Sequence, residues 1–459
     1  MKKLLHELLL VFQKINQQRQ KYLQQHQNLI LSVSDDKRES IENFVSYISY
    51  MDNKLECERI ISKHDFPIVF SETENFHNSI GPLMRMAGFS SDLKKIPNLL
   101  SENVSGFFGK EFTGKPQLMV NLRQEAEYNQ DYLQKLLNNG VGFFRINCAF
   151  GKHKSWQAIS ENLKSASTHC GIQGKLLMDL AGPKIRIEKL FKDLSSENSI
   201  RLQENEELII ANSPFSIADN HQEFKNYHII KSNFTGDFSS CRPGEIIRFD
   251  DSRIEAHIVG VEQDYLKIII KKLIRPEENL LPGKGINFPE SSLGISGLTE
   301  KDKIDLSGIT NIADVLCFSF VQSAADIIEI EREILKHDRG NVPVVIKIET
   351  YLAIENIEEI LLAAMRIKKV AILVARGDLV SECGWEALPA IQERIFKLAK
   401  AAHLPTILAT EIMESFNQTG IHTRPDVIDL YHARNFDCLL INKGPNIFGT
   451  IDFVNEFFE

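Results

Sequence analysis

The sequence predicts an α/β protein: a TIM (β/α)8 barrel with an inserted small β-barrel lid domain and a helical N-terminal region. Three observations predict it. From about residue 115, short apolar runs alternate with amphipathic helical patterns, as parallel strands buried on both faces require. The strand–helix units number eight, which is the count that closes such a barrel. Between about 188 and 284 the texture changes to short Ile/Val runs split by turn signals such as Arg242-Pro243-Gly244, which reads as a small β domain inserted after the third strand.

The elements follow in order. Leu4, Leu5, Leu8, Leu9, Phe12 and Ile15 fall at helical spacing, and the early His6 and Glu7 argue for an amphipathic helix over a targeting signal. A Gln-rich stretch runs from Gln17 to Gln27, and residues 40–63 again repeat apolar positions helically. Residues 1–112 therefore form the helical region. The first part of the barrel spans 113–187, with strands expected at Leu118–Leu122, Phe143–Asn147 and Lys175–Asp179 and helices at Tyr128–Asn138 and Trp156–Cys170. The lid spans 188–284, with runs at Glu207–Ala211, Glu245–Phe249, Glu255–Val259 and Leu266–Lys271. The second part of the barrel spans 285–459. Its strands are expected at Val315–Phe320, Val344–Glu349, Val370–Arg376, Thr406–Thr410 and Cys438–Asn442. Helical patterns lie near 324–337, 352–366, 385–403 and 425–434, and a last helix fits Thr450–Phe458.

Composition narrows the function classes. Lys plus Arg total 53 against 62 Asp plus Glu, a net charge of −9. Such a chain, without a dense basic stretch, is a poor partner for nucleic acid or an anionic membrane. No apolar run is long enough to span a bilayer. The seven cysteines are scattered and form no CxxC pair, which argues for free thiols in a reducing cytoplasm over a disulfide framework.

In this fold the chemistry sits at the C-terminal ends of the strands. Those ends carry Arg145 and Asn147, Asp179 with Gly182-Pro183-Lys184 and Arg186, Ser319, Lys347 and Glu349, Ala375-Arg376-Gly377-Asp378, and Thr410. Lys347 and Glu349 are two apart and share one strand face. Glu349 and Asp378 end adjacent strands, a pairing suited to a hard divalent cation. The backbone turning at Gly377 into a helix suits an anion. A cation ringed by Arg145, Arg186 and Lys347 fits phosphoryl transfer, which depends on positioning and electrostatics. Taken singly, Lys347–Glu349 reads as an ordinary ion pair, Asp378 as a helix cap and Asp179 as a turn residue. Their convergence on one rim favours the functional reading.

These residues resemble the pyruvate kinase family. The resemblance is carried by Arg145-Ile-Asn147-Cys-Ala, Met178-Asp-Leu-Ala-Gly-Pro-Lys-Ile-Arg186, Phe249-Asp-Asp251, Gly283-Lys-Gly-Ile-Asn-Phe-Pro289, Thr299-Glu-Lys-Asp302, Phe318-Ser-Phe320, Ile346-Lys-Ile-Glu349, Val374-Ala-Arg-Gly-Asp-Leu379, Leu408-Ala-Thr410 and Met413-Glu-Ser415, in the family's order across about 115–445. It is closest to a branch with a helical N-terminal extension, through Leu440-Ile-Asn-Lys-Gly-Pro445. Because the chain ends at Glu459, the resemblance also implies that the family's C-terminal regulatory domain is absent.

The implied reaction moves phosphate from phosphoenolpyruvate to ADP, giving pyruvate and ATP. It implies Mg2+ or Mn2+ held by Glu349 and Asp378, and Lys347 neutralising the transferring group. Thr410 would assist proton delivery to the enolate. Ser319 and the backbone of Ala375, Arg376, Gly377 and Asp378 would bind substrate. Arg145 and Arg186 would contact phosphates, and Lys284 and Asn147 would face the nucleotide. Asn147, Asp179, Leu180 and Lys184 would be a remnant monovalent-cation site. Lys184, where potassium-dependent members carry glutamate, and Ala149, where they carry a hydroxyl, imply that K+ is not required. Phe150 and the segment Asn121-Leu122-Arg123 depart from the family pattern, and so does Glu411. A metal-dependent lyase or aldolase working through a pyruvate enolate, and a catalytically silent relative, are the alternatives. A cytoplasmic location follows, and the oligomeric state is left open between a monomer and a homo-oligomer.

Overall fold

A computed structural model describes residues 2–56, 99–109, 115–192, 195–213, 224, 227–276, 278–337 and 339–459. Cys57, the end of the 40–63 helical run and much of the rest of region 1–112 lie outside the described residues.

Strands β1 (Gln117–Asn121), β2 (Val141–Asn147) and β3 (Lys175–Asp179) open the barrel. The chain then leaves for β4 (Ile187–Lys192), β5 (Ser195–Glu197), β6 (Ile200–Arg201), β7 (Glu207–Ala211), β8 (His228–Ser232), β9 (Ile246–Phe249), β10 (Ile254–Val261), β11 (Tyr265–Leu273), β12 (Asn279–Leu280) and β13 (Ile286–Asn287). It returns for β14 (Val315–Phe318), β15 (Val344–Ile348), β16 (Val370–Ala375), β17 (Thr406–Ala409) and β18 (Cys438–Ile441). The eight barrel strands are parallel and closed in the order β1-β18-β17-β16-β15-β14-β3-β2.

Each barrel strand buries both faces, and its period of two sorts the residues. Val120, Phe144, Met178, Leu316, Ile346, Val374 and Leu408 pack outward against the helices. Met119, Phe143, Leu177, Cys317, Val345, Leu373 and Leu440 fill the barrel interior. Two residues further along the same inner face come Asn121, Arg145, Asp179, Ser319, Lys347 and Asn442. The interior is thus apolar at its floor and charged at its mouth.

The helix Leu99–Phe108 closes the floor. Leu100, Val104, Phe107 and Phe108 join the interior cluster, and Phe108 meets Phe143 edge-to-face at 5.2 Å. The Lys175 ammonium donates to the Phe108 carbonyl at 3.0 Å. The helix Asp35–Met51 packs on the barrel helix Leu388–Ala401. Asn43 Nδ2 donates to the Ala401 carbonyl at 2.8 Å, and Ser40 Oγ meets His403 Nδ1 at 3.0 Å. Apolar periodicity forecast the helix Asp35–Met51 but not the surface it covers, and gave no specific sign of the helix Leu99–Phe108.

The lid is an eight-stranded sheet in the order β13-β9-β10-β11-β7-β8-β4-β5, with β12 and β6 paired separately. Bonds from Ile187 N to the Lys284 carbonyl (2.9 Å) and from Gly283 N to the Ile187 carbonyl (2.7 Å) join its two ends. The sheet therefore rolls up around Leu190, Leu208, Phe249, Ile258 and Ile268. Strands β4 and β8 escaped the sequence reading, as did the helix Glu300–Ile309, which Thr299 opens with a capping box to Asp302.

Several strands stop one or two residues earlier than the apolar pattern suggests. β14 ends at Phe318 and β17 at Ala409, because Phe320, Thr410 and Glu411 adopt left-handed φ of 57°, 68° and 61°. The expected 352–366 helix breaks at Asn356 into Tyr351–Glu355 and Ile357–Ala364. Among the described residues no helix is long and apolar enough to cross a membrane.

Candidate active site at the barrel mouth

A cavity of about 510 Å³ lies between the mouth and the lid. Arg145, Asn147, Asp179, Lys184, Arg186, Lys284, Ser319, Lys347, Gly377, Asp378 and Thr410 all line it. Eleven of the residues singled out from sequence thus meet in one place, drawn from strands far apart in the chain.

Its centre is a buried charge cluster. Lys347 Nζ donates to Ser319 Oγ at 2.9 Å and lies 2.9 Å from Glu349 Oε2 and 3.7 Å from Asp179 Oδ2. Ser319 Oγ in turn donates to Asp179 Oδ1 at 3.0 Å. Burial works against the Lys347 charge, but Asp179 and Glu349 outweigh it and hold its pKa above the usual lysine range. Arg145 Nε donates to Asp179 Oδ2 at 2.8 Å, and Nη1 reaches Asn121 Oδ1. Asn121 continues to Asn442 Oδ1 at 2.8 Å. Burial opposes the Asp179 charge, yet Lys347 and Arg145 keep its pKa below the usual carboxylate range.

Glu349 lies below the cavity wall and is fully buried. Its Oε1 accepts from Phe320 N at 2.7 Å. Its Oε2 faces Lys347 without hydrogen-bond alignment and has no other donor among the described residues. Burial, reinforced by Asp378 and offset in part by Lys347, pushes its pKa up to about 7. Asp378 goes the other way. Burial opposes its charge, but Lys184 and Lys347 lower its pKa.

Lys184 shares the cavity with Asn147 and Asp179 but finds its ion-pair partner beyond another strand. The resemblance implied an ammonium beside Asn147 and Asp179. Lys184 Nζ pairs with Asp378 Oδ1 at 2.5 Å. Asp179 is served by Arg145 and Lys347 from neighbouring strands, and Asn147 Oδ1 accepts from Ala149 N at 2.9 Å. Leu180 is buried and continues the sheet through a bond to the Cys317 carbonyl. The reason is the hinge: Gly182, at φ 65°, passes so close to Phe320 and Ser319 that a Cβ would meet them at 2.8 and 2.9 Å. The chain beyond it departs from β3, and Lys184 crosses towards β16.

Two other expected residues turn their side chains away from the cavity. Ala375 ends β16 in the interior. Arg376 turns its side chain to Asp429 Oδ1 (2.5 Å) and the Thr410 carbonyl (2.7 Å). It thereby braces the left-handed turn at Thr410. Thr410 Oγ1 accepts from Gly377 N at 3.0 Å, at the start of the helix Arg376–Cys383. From the lid side, Lys284 Nζ pairs with Asp250 Oδ1 at 2.7 Å, and Arg186 Nη1 donates to the Gly283 carbonyl at 2.9 Å.

Sequence reasoning missed Asn121, Asn442 and Glu414 as a chain supporting Arg145; Asn442 Nδ2 donates to Glu414 Oε2 at 3.2 Å. The signal was available, since Asn121 and Asn442 lie two residues beyond interior positions Met119 and Leu440. Left-handed, non-glycine residues also gather around the cavity, at Phe320, Thr410 and Glu411 on the barrel and at Asp250, Asp251 and Ser252 on the lid. Such strain collects at functional sites.

Fold and site together define a lidded barrel whose mouth brings lysines, arginines and carboxylates together in one cavity. A family model described as "Pyruvate kinase, barrel domain" matches residues 121–441, and the chain belongs to the pyruvate kinase family. Among its relatives, the pyruvate kinase of Thermotoga maritima is 29% identical over 309 residues, covering 66% of this chain and 60% of that protein. The pyruvate kinase of Staphylococcus aureus is 28% identical over 309 residues, covering 67% and 49%. That of Sporosarcina psychrophila is 27% identical over 310 residues, covering 67% and 49%. The chain thus spans about half to three fifths of the length of these relatives.

Proposed function

We propose that this chain is a pyruvate kinase, transferring the phosphoryl group of phosphoenolpyruvate to ADP to give pyruvate and ATP. One observation carries the reading: Lys347, held by Ser319, Glu349 and Asp179, stands with Arg145 beside two carboxylates under a lid that contributes Lys284.

The fit to a divalent cation rests on Glu349 and Asp378. A buried carboxylate oxygen met only by the misaligned Lys347 ammonium among the described residues, beside a second carboxylate, suits a hard cation. Among the described residues no third acidic or imidazole ligand joins them, so water and substrate oxygens would complete the shell. Glu349 and Asp378 would hold Mg2+ or Mn2+, which when bound supplies charge neutralisation to phosphoryl oxygens.

The chain's own residues would do the rest. Lys347 neutralises the phosphoryl group as it leaves the enol oxygen for the β-phosphate of ADP. Arg145 and Arg186 hold phosphate oxygens, Lys284 and Asn147 engage the nucleotide, and Ser319 keeps Lys347 aimed. The backbone from Ala375 to Asp378 receives the substrate carboxylate, and Thr410 orders the water that delivers a proton to the enolate carbon. With Asp179 already met by two cations, K+ is not needed. We extend the proposal to the division of the chain: a helical base (1–112), a barrel (113–187 and 285–459) and a lid (188–284) that closes on the bound substrates.

The test is direct. Purified protein with phosphoenolpyruvate, ADP and Mg2+ should release pyruvate and ATP, and Lys347→Met should abolish it. A folded wild type that forms neither product sinks the proposal. Cleavage of a pyruvate-derived aldol by the same protein would put the lyase reading in its place.

A further inference from the structure

Four charges alternate at the floor of the cavity. Glu349 faces Lys347, and Asp378 faces Lys184. Each carboxylate therefore already has its own ammonium. A dication entering between the carboxylates would meet two ammonium groups, whose repulsion is only partly screened in so buried a site. One of the two must yield.

The two lysines are anchored very differently. Lys347 is fixed on β15 by Ser319, Glu349 and Asp179. Lys184 has Asp378 as its ion-pair partner and otherwise lies 5.8 Å from the Phe320 ring. It sits on the segment between β3 and β4, where the barrel hands over to the lid. Released, its ammonium stays within the cavity, in the field of the lid residue Asp251.

We infer that Lys184 is the resident counter-cation of Asp378, displaced when a divalent cation binds, so that metal loading and release of the Lys184 ammonium are one exchange. The inference rests on the proposed assignment of Glu349 and Asp378 to the metal. Its consequence is that metal binding frees a positive group at the root of the lid, where anionic substrates arrive.

The test is a titration of the full chain with Mn2+ without substrates, following the loss of the free-ion EPR signal. Lys184→Met removes the competitor and should tighten Mn2+ binding roughly tenfold. Arg186→Met removes the same charge from the same cavity, but its guanidinium donates to the Gly283 carbonyl and has no carboxylate partner among the described residues, so it should change the affinity by less than about twofold. A second readout needs no variant. Acetylation of Lys184 in the native protein, read by peptide mass spectrometry, should accelerate when Mn2+ is saturating. Equal Mn2+ affinity in wild type and Lys184→Met, or equal shifts for both variants, overturns the exchange while leaving the metal site standing; unchanged Lys184 labelling also overturns it. No Mn2+ binding by either wild type or Lys184→Met overturns the metal assignment itself, and the exchange with it.

Discussion

The barrel and the lid are both built from short Ile/Val-rich strands, yet they hold charge in opposite ways. Barrel strands are buried on both faces, so a charged residue on the inner face is deep and must be matched by neighbouring strands. Lys347 and Glu349 are at most 8% exposed, and their partners come from β14, β15 and β3. Lid strands such as β10 and β11 alternate buried and half-buried positions. Their charges pair at half-buried positions, as Lys284 does with Asp250 at 35% and 13% side-chain exposure. The barrel thus supplies deeply buried charges held by several partners, while the lid supplies less buried charges such as Lys284, which is held by one carboxylate, Asp250.

Deleting the same charge from each region tests that contrast most severely. Lys347→Met should lower kcat about a thousandfold. Lys284→Met should leave kcat nearly intact and raise the KM for ADP about tenfold. Steady-state kinetics with both substrates varied would check it, and equal effects would erase the distinction.

The barrel's rigidity also depends on its floor. Phe108→Ala removes a fully buried ring stacked edge-on against Phe143 and should cost about 3–5 kcal/mol of unfolding free energy. Urea denaturation measures it. A loss under about 1 kcal/mol would mean that the helix Leu99–Phe108 is not a structural plug.

Smaller effects sharpen the picture. Replacing Na+ by K+ at constant ionic strength should change the rate by less than about twofold, because Arg145 and Lys347 already neutralise Asp179. A saturable K+ requirement would show that these partners do not substitute for the ion. Tyr132 lies on the barrel's outer wall, with a buried hydroxyl that has no hydrogen-bond partner among the described residues. Burial pushes its pKa up to about 12, with Arg123 opposing and Glu125 adding. A raised phenol keeps its proton in the folded state, so the stability tied to it is intact below the ordinary tyrosine pKa of about 10 and declines as pH rises towards 12. Tyr132→Phe should flatten that decline and gain about 1 kcal/mol at neutral pH. Thermal melts across alkaline pH would detect either outcome.

Much of this was legible in the linear chain. Continuous apolar runs announced β1–β3 and β14–β18, since burial on both faces leaves no polar position until the strand ends. The period of two put Lys347 and Glu349 on one side of β15, and Arg145 and Asn147 on one side of β2. The lid's position followed from the break in pattern after Asp179. These are properties of residues a few positions apart, and neighbouring residues alone enforce them.

What the tertiary structure decided is which distant groups became partners. Lys184 was placed by resemblance near Asp179, yet it lies 194 residues from Asp378 and pairs with it. The hinge at Gly182 and the closure of β3, β14, β15 and β16 set that approach, and neither leaves a local trace. The same closure joins Asn121 to Asn442 across 321 residues and makes them a brace for Arg145. Hydrophobic periodicity marked helical stretches at 4–15 and 40–63 but did not single out Leu99–Phe108, the helix that fills the barrel floor, because an apolar face records only that it must be covered. Buried charges demand specific counter-charges, and only barrel closure determined which residue stood close enough to serve.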